Sequence, residues 1–221
     1  MPPPHGPGAS VATAPAFVAL SALWAAGLIA SGIDPHDRLT WLMEVAPALV
    51  AWPILHATRR SLRFTDLAYG LIALHGLILM LGAAYTYARV PLGFTLQEVF
   101  ALSRNPYDKI GHFAQGFVPA IVARELLIRV FRFDRTWLLG FLVVCICLAI
   151  SATYELVEWV AAVSLGQDAS AFLGTQGDPW DTQADMAFAL VGALAALTLG
   201  GWHDRQIARR LECMRKVAGA G

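Results

Sequence analysis

Six stretches of the 221-residue chain are apolar enough to read as membrane helices, with short polar connections between them. They cover residues 14–33, 39–57, 66–87, 110–129, 137–162 and 183–202. Each is near or above the roughly 20 residues that a helix rising about 1.5 Å per residue needs to cross a hydrocarbon core of about 30 Å. The second stretch contains Glu44, Pro47 and Pro53; proline is tolerated in such helices, usually with a kink, where neighbours satisfy the freed carbonyls. Residues 88–107 are too few for a domain, and Thr95 to Leu102 reads as a short interfacial helix. No internal repeat is evident. The pattern predicts an all-α polytopic membrane protein, one compact six-transmembrane-helix bundle.

Composition agrees. Hydrophobic residues make up 57% and charged residues 14% of the chain, against about a quarter charged in a soluble domain. The formal net charge is zero, which gives no reason to expect nucleic acid as a partner. Distribution is more informative than the sum. Twelve Lys and Arg residues fall at one set of ends (Arg59, Arg60, Arg63, Arg124, Arg129, Arg132, Arg135, Arg205, Arg209, Arg210, Arg215 and Lys216). Only four, Arg38, Arg89, Arg104 and Lys109, fall at the other. The positive-inside rule then places both termini in the cytoplasm. Trp41, Trp137, Trp159 and Trp202 lie near helix ends, as an aromatic belt requires. Residues 1–13, rich in proline and glycine, read as a disordered tail without the basic start of a signal peptide. Residues 14–204 form the six-helix domain and 205–221 a basic cytoplasmic tail. Cys145, Cys147 and Cys213 make no disulfide framework and read as packing residues.

Against this apolar background the acids stand out. Asp108 and His112 open the fourth stretch, Glu155 and Glu158 close the fifth, and Asp178, Asp181 and Asp185 enter the sixth. Depth follows from direction along each helix: His112 lies roughly 4 Å inside the outer end, and Glu155 about 27 Å along a helix running outward from Trp137. Three segments thus bring polar groups to one level near the outer interface. Asp108 and His112 are four apart, Glu155 and Glu158 three apart, Asp181 and Asp185 four apart, so each pair shares a helix face.

Each of these residues also has a purely structural role open to it. Asp178-Pro179-Trp180-Asp181 reads as an N-cap, a proline at the first helical position and an acid in the first turn. Asp108 suits a helix N-terminus, Lys109 can snorkel, and a lone interfacial histidine needs no ligand. None of these covers Glu155 and Glu158 together, since intramembrane carboxylates are costly and mark functional sites by default. Six carboxylates in a low-dielectric cleft cannot all ionise without a counter-ion, so some are protonated or a cation is bound. Carboxylates with one imidazole suit a divalent metal ion, and Asp108, His112, Glu158, Asp181 and Asp185 are its expected ligands. His75 reads as a helix–helix hydrogen bonder, Glu44 as a residue able to join the cluster, and His203 with Asp204 as a solvated helix end. The chain has no Walker loop, dinucleotide glycine pattern, G-x-S-x-G or H-E-x-x-H.

RNPYDKIGHFAQGFVPA (104–120), YELVEW (154–159) and FLGTQGDPWDTQADM (172–186) resemble the YjdF family of bacterial inner-membrane proteins over most of the chain. More distantly, D-K-x-x-H followed by an intramembrane acid and an Asp at a helix start resembles VanZ-like proteins. That resemblance maps Asp108, Lys109, His112, Glu155 or Glu158, and Asp181 or Asp185 onto shared polar positions. The family pattern carries histidine before the tyrosine of the first run; Pro106 stands there and supplies no ligand. The resemblance implies an integral inner-membrane protein of unestablished activity and, through the VanZ-like link to glycopeptide tolerance, a connection with envelope lipids or wall precursors.

Three functions stay open at this point. The first is metal-assisted hydrolysis or transfer on an amphiphilic envelope substrate, with Glu155 and Glu158 as metal ligand or general base, His112 as ligand or acid/base, and Lys109 orienting an anionic group. The second is a non-enzymatic binder or small cation- or proton-coupled transporter. The third is a structural protein whose cluster joins three helices. Besides the lipid bilayer, the expected partner is an amphiphilic envelope lipid or wall precursor, and the oligomeric state is left open.

Overall fold

The computed structural model describes residues 14–165 and 176–218. The N-terminal tail, most of the loop before the last span and the final residues lie outside it. The described residues form eight α-helices and no strand: α1 (Ala14–Ile33), α2 (Arg38–Thr58), α3 (Asp66–Tyr85), α4 (Pro91–Val99), α5 (Tyr107–Arg129), α6 (Trp137–Leu165), α7 (Asp181–Thr198) and α8 (Gly200–Ala218). Local chemistry sets several boundaries. Asp37 caps α2 by accepting a hydrogen bond from Thr40 N at 2.7 Å, which holds its carboxyl below the usual value. The short helix expected over Thr95 to Leu102 is α4, which begins four residues earlier because Pro91 is pre-set for the first helical turn.

Four helices, α1, α2, α3 and α6, are long and apolar enough by themselves to cross a membrane, and α7 with α8 forms a bent fifth segment. Helix α5 differs. Its 23 residues include Asp108, Lys109, His112, Arg124, Glu125 and Arg129, so composition alone does not make it a span. It is instead the central helix, packed against α3, α6 and α7, and its charged side chains find protein partners rather than lipid.

The seam between α5 and α7 is the tightest in the bundle. A Cβ at Gly116 would lie on the Ala189 carbonyl, and one at Gly192 would lie on the Phe113 carbonyl. Without a hydrophobic driving force between helices, small residues that let backbones approach are what membrane packing exploits. Helices α1, α2 and α3 are joined differently: α1 to α2 through Trp24 stacked on Trp52 at 4.5 Å and Phe17 on Trp52 at 5.6 Å, and α1 to α3 through Phe17 edge-on to Tyr69 at 5.3 Å.

The outer surface carries many large apolar side chains, among them Val18, Ile29, Phe141 and Val163, as a lipid-facing wall requires. Trp137, Trp159 and Trp202 are exposed near helix ends. Trp41 is partly packed instead, its indole N–H donating to Ser31 Oγ at 3.0 Å. Cys147 is buried as expected, whereas Cys145 is exposed.

The last span departs from expectation. Read from sequence as 183–202 followed by a tail, it ends at Thr198, bends by 59° and continues as the helix α8. The bend has an identifiable anchor. Arg124 of α5 donates two hydrogen bonds at 2.9 Å to the Asp204 carboxylate, and Arg135 lies 3.3 Å from the same group.

Candidate functional site

The head of α5 is set by Asn105. Its Oδ1 accepts from Tyr107 N at 3.0 Å and its amide donates to Val90 O at 3.0 Å, so the helix starts at Tyr107 and places Asp108 in the first turn. Gly93 of α4 leaves the room that Asn105 fills, since any side chain there would overlap it. The expected cap at Asp178 is not formed: α7 starts at Asp181, leaving Pro179 outside the helix. Asp178 accepts from Trp180 N at 2.9 Å in a local turn and pairs with Arg104 at 3.0 Å.

Three helices, α5, α6 and α7, now meet at one level. His112 Nε2 is 3.5 Å from Asp108 Oδ1 and 3.7 Å from Asp185 Oδ1. On its other side His112 Nδ1 is 3.0 Å from Gln115 Oε1 and 3.8 Å from Glu155 Oε1. All four titratable groups are buried. Asp108, His112 and Asp185 each present one donor atom within 4.8 Å of the others. Two carboxylates and an imidazole at that separation suit a divalent cation.

The remaining candidates fall outside this trio. Asp181 is held by Lys109 at 2.7 Å and by Arg104 at 2.7 Å. Lys109, expected to orient an anionic group, instead reaches Asp185 at 2.6 Å as well as Asp181, with Asp108 at 3.8 Å. Glu158 forms no hydrogen bond or ion pair with a described residue. It lines a cavity instead.

That cavity, of about 530 Å³, runs between α2, α3, α5 and α6. Its polar end is formed by Glu44, Tyr87, Asp108, His112, Gln115, Tyr154 and Glu158, and the remainder is mostly apolar, from Pro47 to Leu55 on α2 and from Val118 to Leu126 on α5. Glu44 joins the polar end, as the sequence allows, with its Oε2 buried and unpartnered. His75, expected to hydrogen-bond between helices, lines the wall with its Nε2 buried and without a partner among the described residues. Asp108 and His112 are the two residues common to the cavity and the trio.

A second buried cluster, at the opposite end of α5, went unread in the sequence. The Glu125 carboxylate accepts from Thr65 N at 3.0 Å and Thr65 Oγ1 at 2.9 Å, pairs with Arg129, and lies 3.3 Å from His203 Nε2. Glu125 and His203 are both fully buried. His203 is therefore no solvated helix end: the bend after Thr198 turns it inward. A legible signal was the Glu125–Arg129 pair four residues apart in an otherwise apolar run. Its partners come from α8 and the start of α3, and local pattern does not reveal them.

Comparison with known proteins places the chain. The family described as "Predicted membrane protein (DUF2238)" matches residues 16–206. The inner membrane protein YjdF of Escherichia coli (strain K12) is 56% identical over 183 residues, covering 82% of this chain and 88% of YjdF. No solved structure matches. With its several apolar helices the protein is a multi-pass protein of the inner membrane, and the chain belongs to the DUF2238 family of membrane proteins.

Proposed function

We propose that the protein carries out metal-assisted hydrolysis or group transfer on the polar head of an amphiphilic envelope lipid or wall precursor, at the outer leaflet. One observation carries the reading. Asp108 and His112 belong both to a trio able to hold a cation and to the wall of a largely apolar cavity, so a chain lying in the cavity would present its head to them.

A divalent ion held by Asp108, His112 and Asp185 would supply Lewis-acid polarisation and an activated water. Glu158 faces the same space from α6, without a partner among the described residues, and is the candidate general base. Glu155, beside His112 Nδ1, would fix the imidazole's orientation. Lys109 takes a positioning role, holding Asp181 and Asp185 together. The reading includes six spans with α5 as the fourth, both termini cytoplasmic and the trio on the outer side, supported by the grouping of arginines around the far end of α5.

A second reading rests on Lys109. With Nζ 2.6 Å from Asp185, it is itself a cation within the cluster, and the cluster is then a structural clasp between helices.

Metal content of the detergent-purified protein decides between them. The proposal expects about one divalent ion per chain, lost in His112→Ala and Asp185→Asn and retained in Asp181→Asn. A metal-free wild type whose melting temperature is unmoved by added Mg²⁺, Mn²⁺ or Zn²⁺ would overturn it and leave the clasp.

A further inference from the structure

The cavity wall contains three carboxyl groups, Glu44, Asp108 and Glu158, and no lysine or arginine. That imbalance is specific to this space. The neighbouring cation Lys109 is engaged by Asp181 and Asp185 of α7 and does not line it. Among the described residues Glu44, 3% exposed, has a buried Oε2 without a partner, and Glu158 on the opposite wall has no hydrogen bond or ion pair. A buried acceptor without a donor is costly, so the cavity's polar end is complete only when an occupant brings donors to it. The one basic group in the lining near the carboxyls, His112, already lies 3.5 Å from Asp108 and 3.7 Å from Asp185, so an anionic head would meet Glu44 and Glu158 with no cation left to compensate it. A head with a single neutral donor would satisfy one carboxyl and leave another.

Shape points to the rest of the occupant. From Glu44 to Thr58 the cavity follows α2 for about 21 Å, longer than one leaflet's half of a roughly 30 Å hydrocarbon core. A volume of about 530 Å³ over that length makes the cavity long and narrow, the shape that an extended chain fills. Access is sideways. Pro47 and Ile54 of α2 and Ile150 of α6 line the cavity and are also exposed on the bundle surface, whereas α2 packs against α3.

We propose that this cavity binds a single-chain amphiphile whose head presents a primary amine, entering from the lipid between α2 and α6 and placing the amine among Glu44, Asp108 and Glu158. The inference rests on the reading that the cavity holds an amphiphile, and it names the head. With Asp108 engaged by a metal, Glu44 and Glu158 remain for the amine.

Three probes with one chain and different heads test it: hexadecylamine, hexadecan-1-ol and hexadecanoate, added to the detergent-purified protein and read by thermal shift. The expected result is a clear rise in melting temperature with hexadecylamine and none with the other two. Glu44→Gln and Glu158→Gln should each raise the concentration giving half the shift about tenfold, and Ala51→Trp, which fills the apolar stretch, should abolish the shift. If one glutamine variant does not fold, the other carries the test. Equal shifts with all three probes, blocked by Ala51→Trp, would overturn the amine assignment while keeping an amphiphile cavity. A hexadecylamine shift that survives in the Glu44→Gln/Glu158→Gln double variant would overturn it too. Absence of any shift, with metal bound, overturns the cavity as the amphiphile site but not the metal centre. A metal-free protein that discriminates for hexadecylamine overturns the catalytic reading alone.

Discussion

Lys109 on α5 reaches Asp185 on α7 at 2.6 Å, through the same carboxylate oxygen that lies 3.7 Å from His112. One oxygen thus serves a lysine and an imidazole, and Lys109 balances the carboxylates of Asp181 and Asp185 where α5 meets α7. Replacing one partner of a buried pair strands the other, at about 3–5 kcal/mol. Lys109→Gln is expected to destabilise by about 3 kcal/mol, and Lys109→Gln/Asp185→Asn by clearly less than the sum of the single losses. Chemical denaturation in mixed micelles measures the cycle; additive losses would show that the two residues do not act as one unit.

The close approach of α5 and α7 makes a second expectation. Because a Cβ at Gly116 would meet the Ala189 carbonyl, Gly116→Leu must push the helices apart. Overpacking costs about 1–3 kcal/mol, and the displacement would draw Asp185 away from His112. Gly140→Leu is the control, since a Cβ there meets only Leu197 Cδ1 at 3.6 Å. Melting temperatures should fall for Gly116→Leu and much less for Gly140→Leu; equal falls would refute the tight seam.

Glu125 anchors the bend. It gathers Thr65, Arg129 and His203 from three parts of the chain, so Glu125→Ala leaves several buried donors unsatisfied, a loss of about 3 kcal/mol. The effect should concentrate in α8, whose docking depends on His203 and Asp204. Limited trypsin digestion is expected to cut faster at Arg205 and Arg209 in the variant. An unchanged cleavage rate would mean that α8 is held by something else.

Orientation is tested with single cysteines in a chain freed of its native ones. Ser103→Cys, in the loop before α5, should react with a membrane-impermeant maleimide in intact spheroplasts. Asp134→Cys, between α5 and α6, should react only after permeabilisation. The reverse pattern would invert the bundle and move the site to the cytoplasmic side.

Local sequence determined the helical class, the spans' approximate ends and the level at which Asp108, His112, Glu155 and Asp185 meet. The reasons are simple: a bilayer demands continuous apolar runs of set length, and depth along a helix is residue count times a fixed rise. Tertiary structure decided which groups face one another. Asp181 and Asp185 are indistinguishable by spacing, yet only Asp185 joins His112 and Asp108, while Asp181 is held by Lys109 and Arg104. Glu158 turns to the cavity rather than the trio, and His203 is buried by a bend at Gly200 and Gly201 whose direction no local signal sets. These outcomes depend on how far each helix rotates and how closely it approaches its neighbour. That is set by contacts such as Gly116 on Ala189 and Arg124 on Asp204, between residues far apart along the chain.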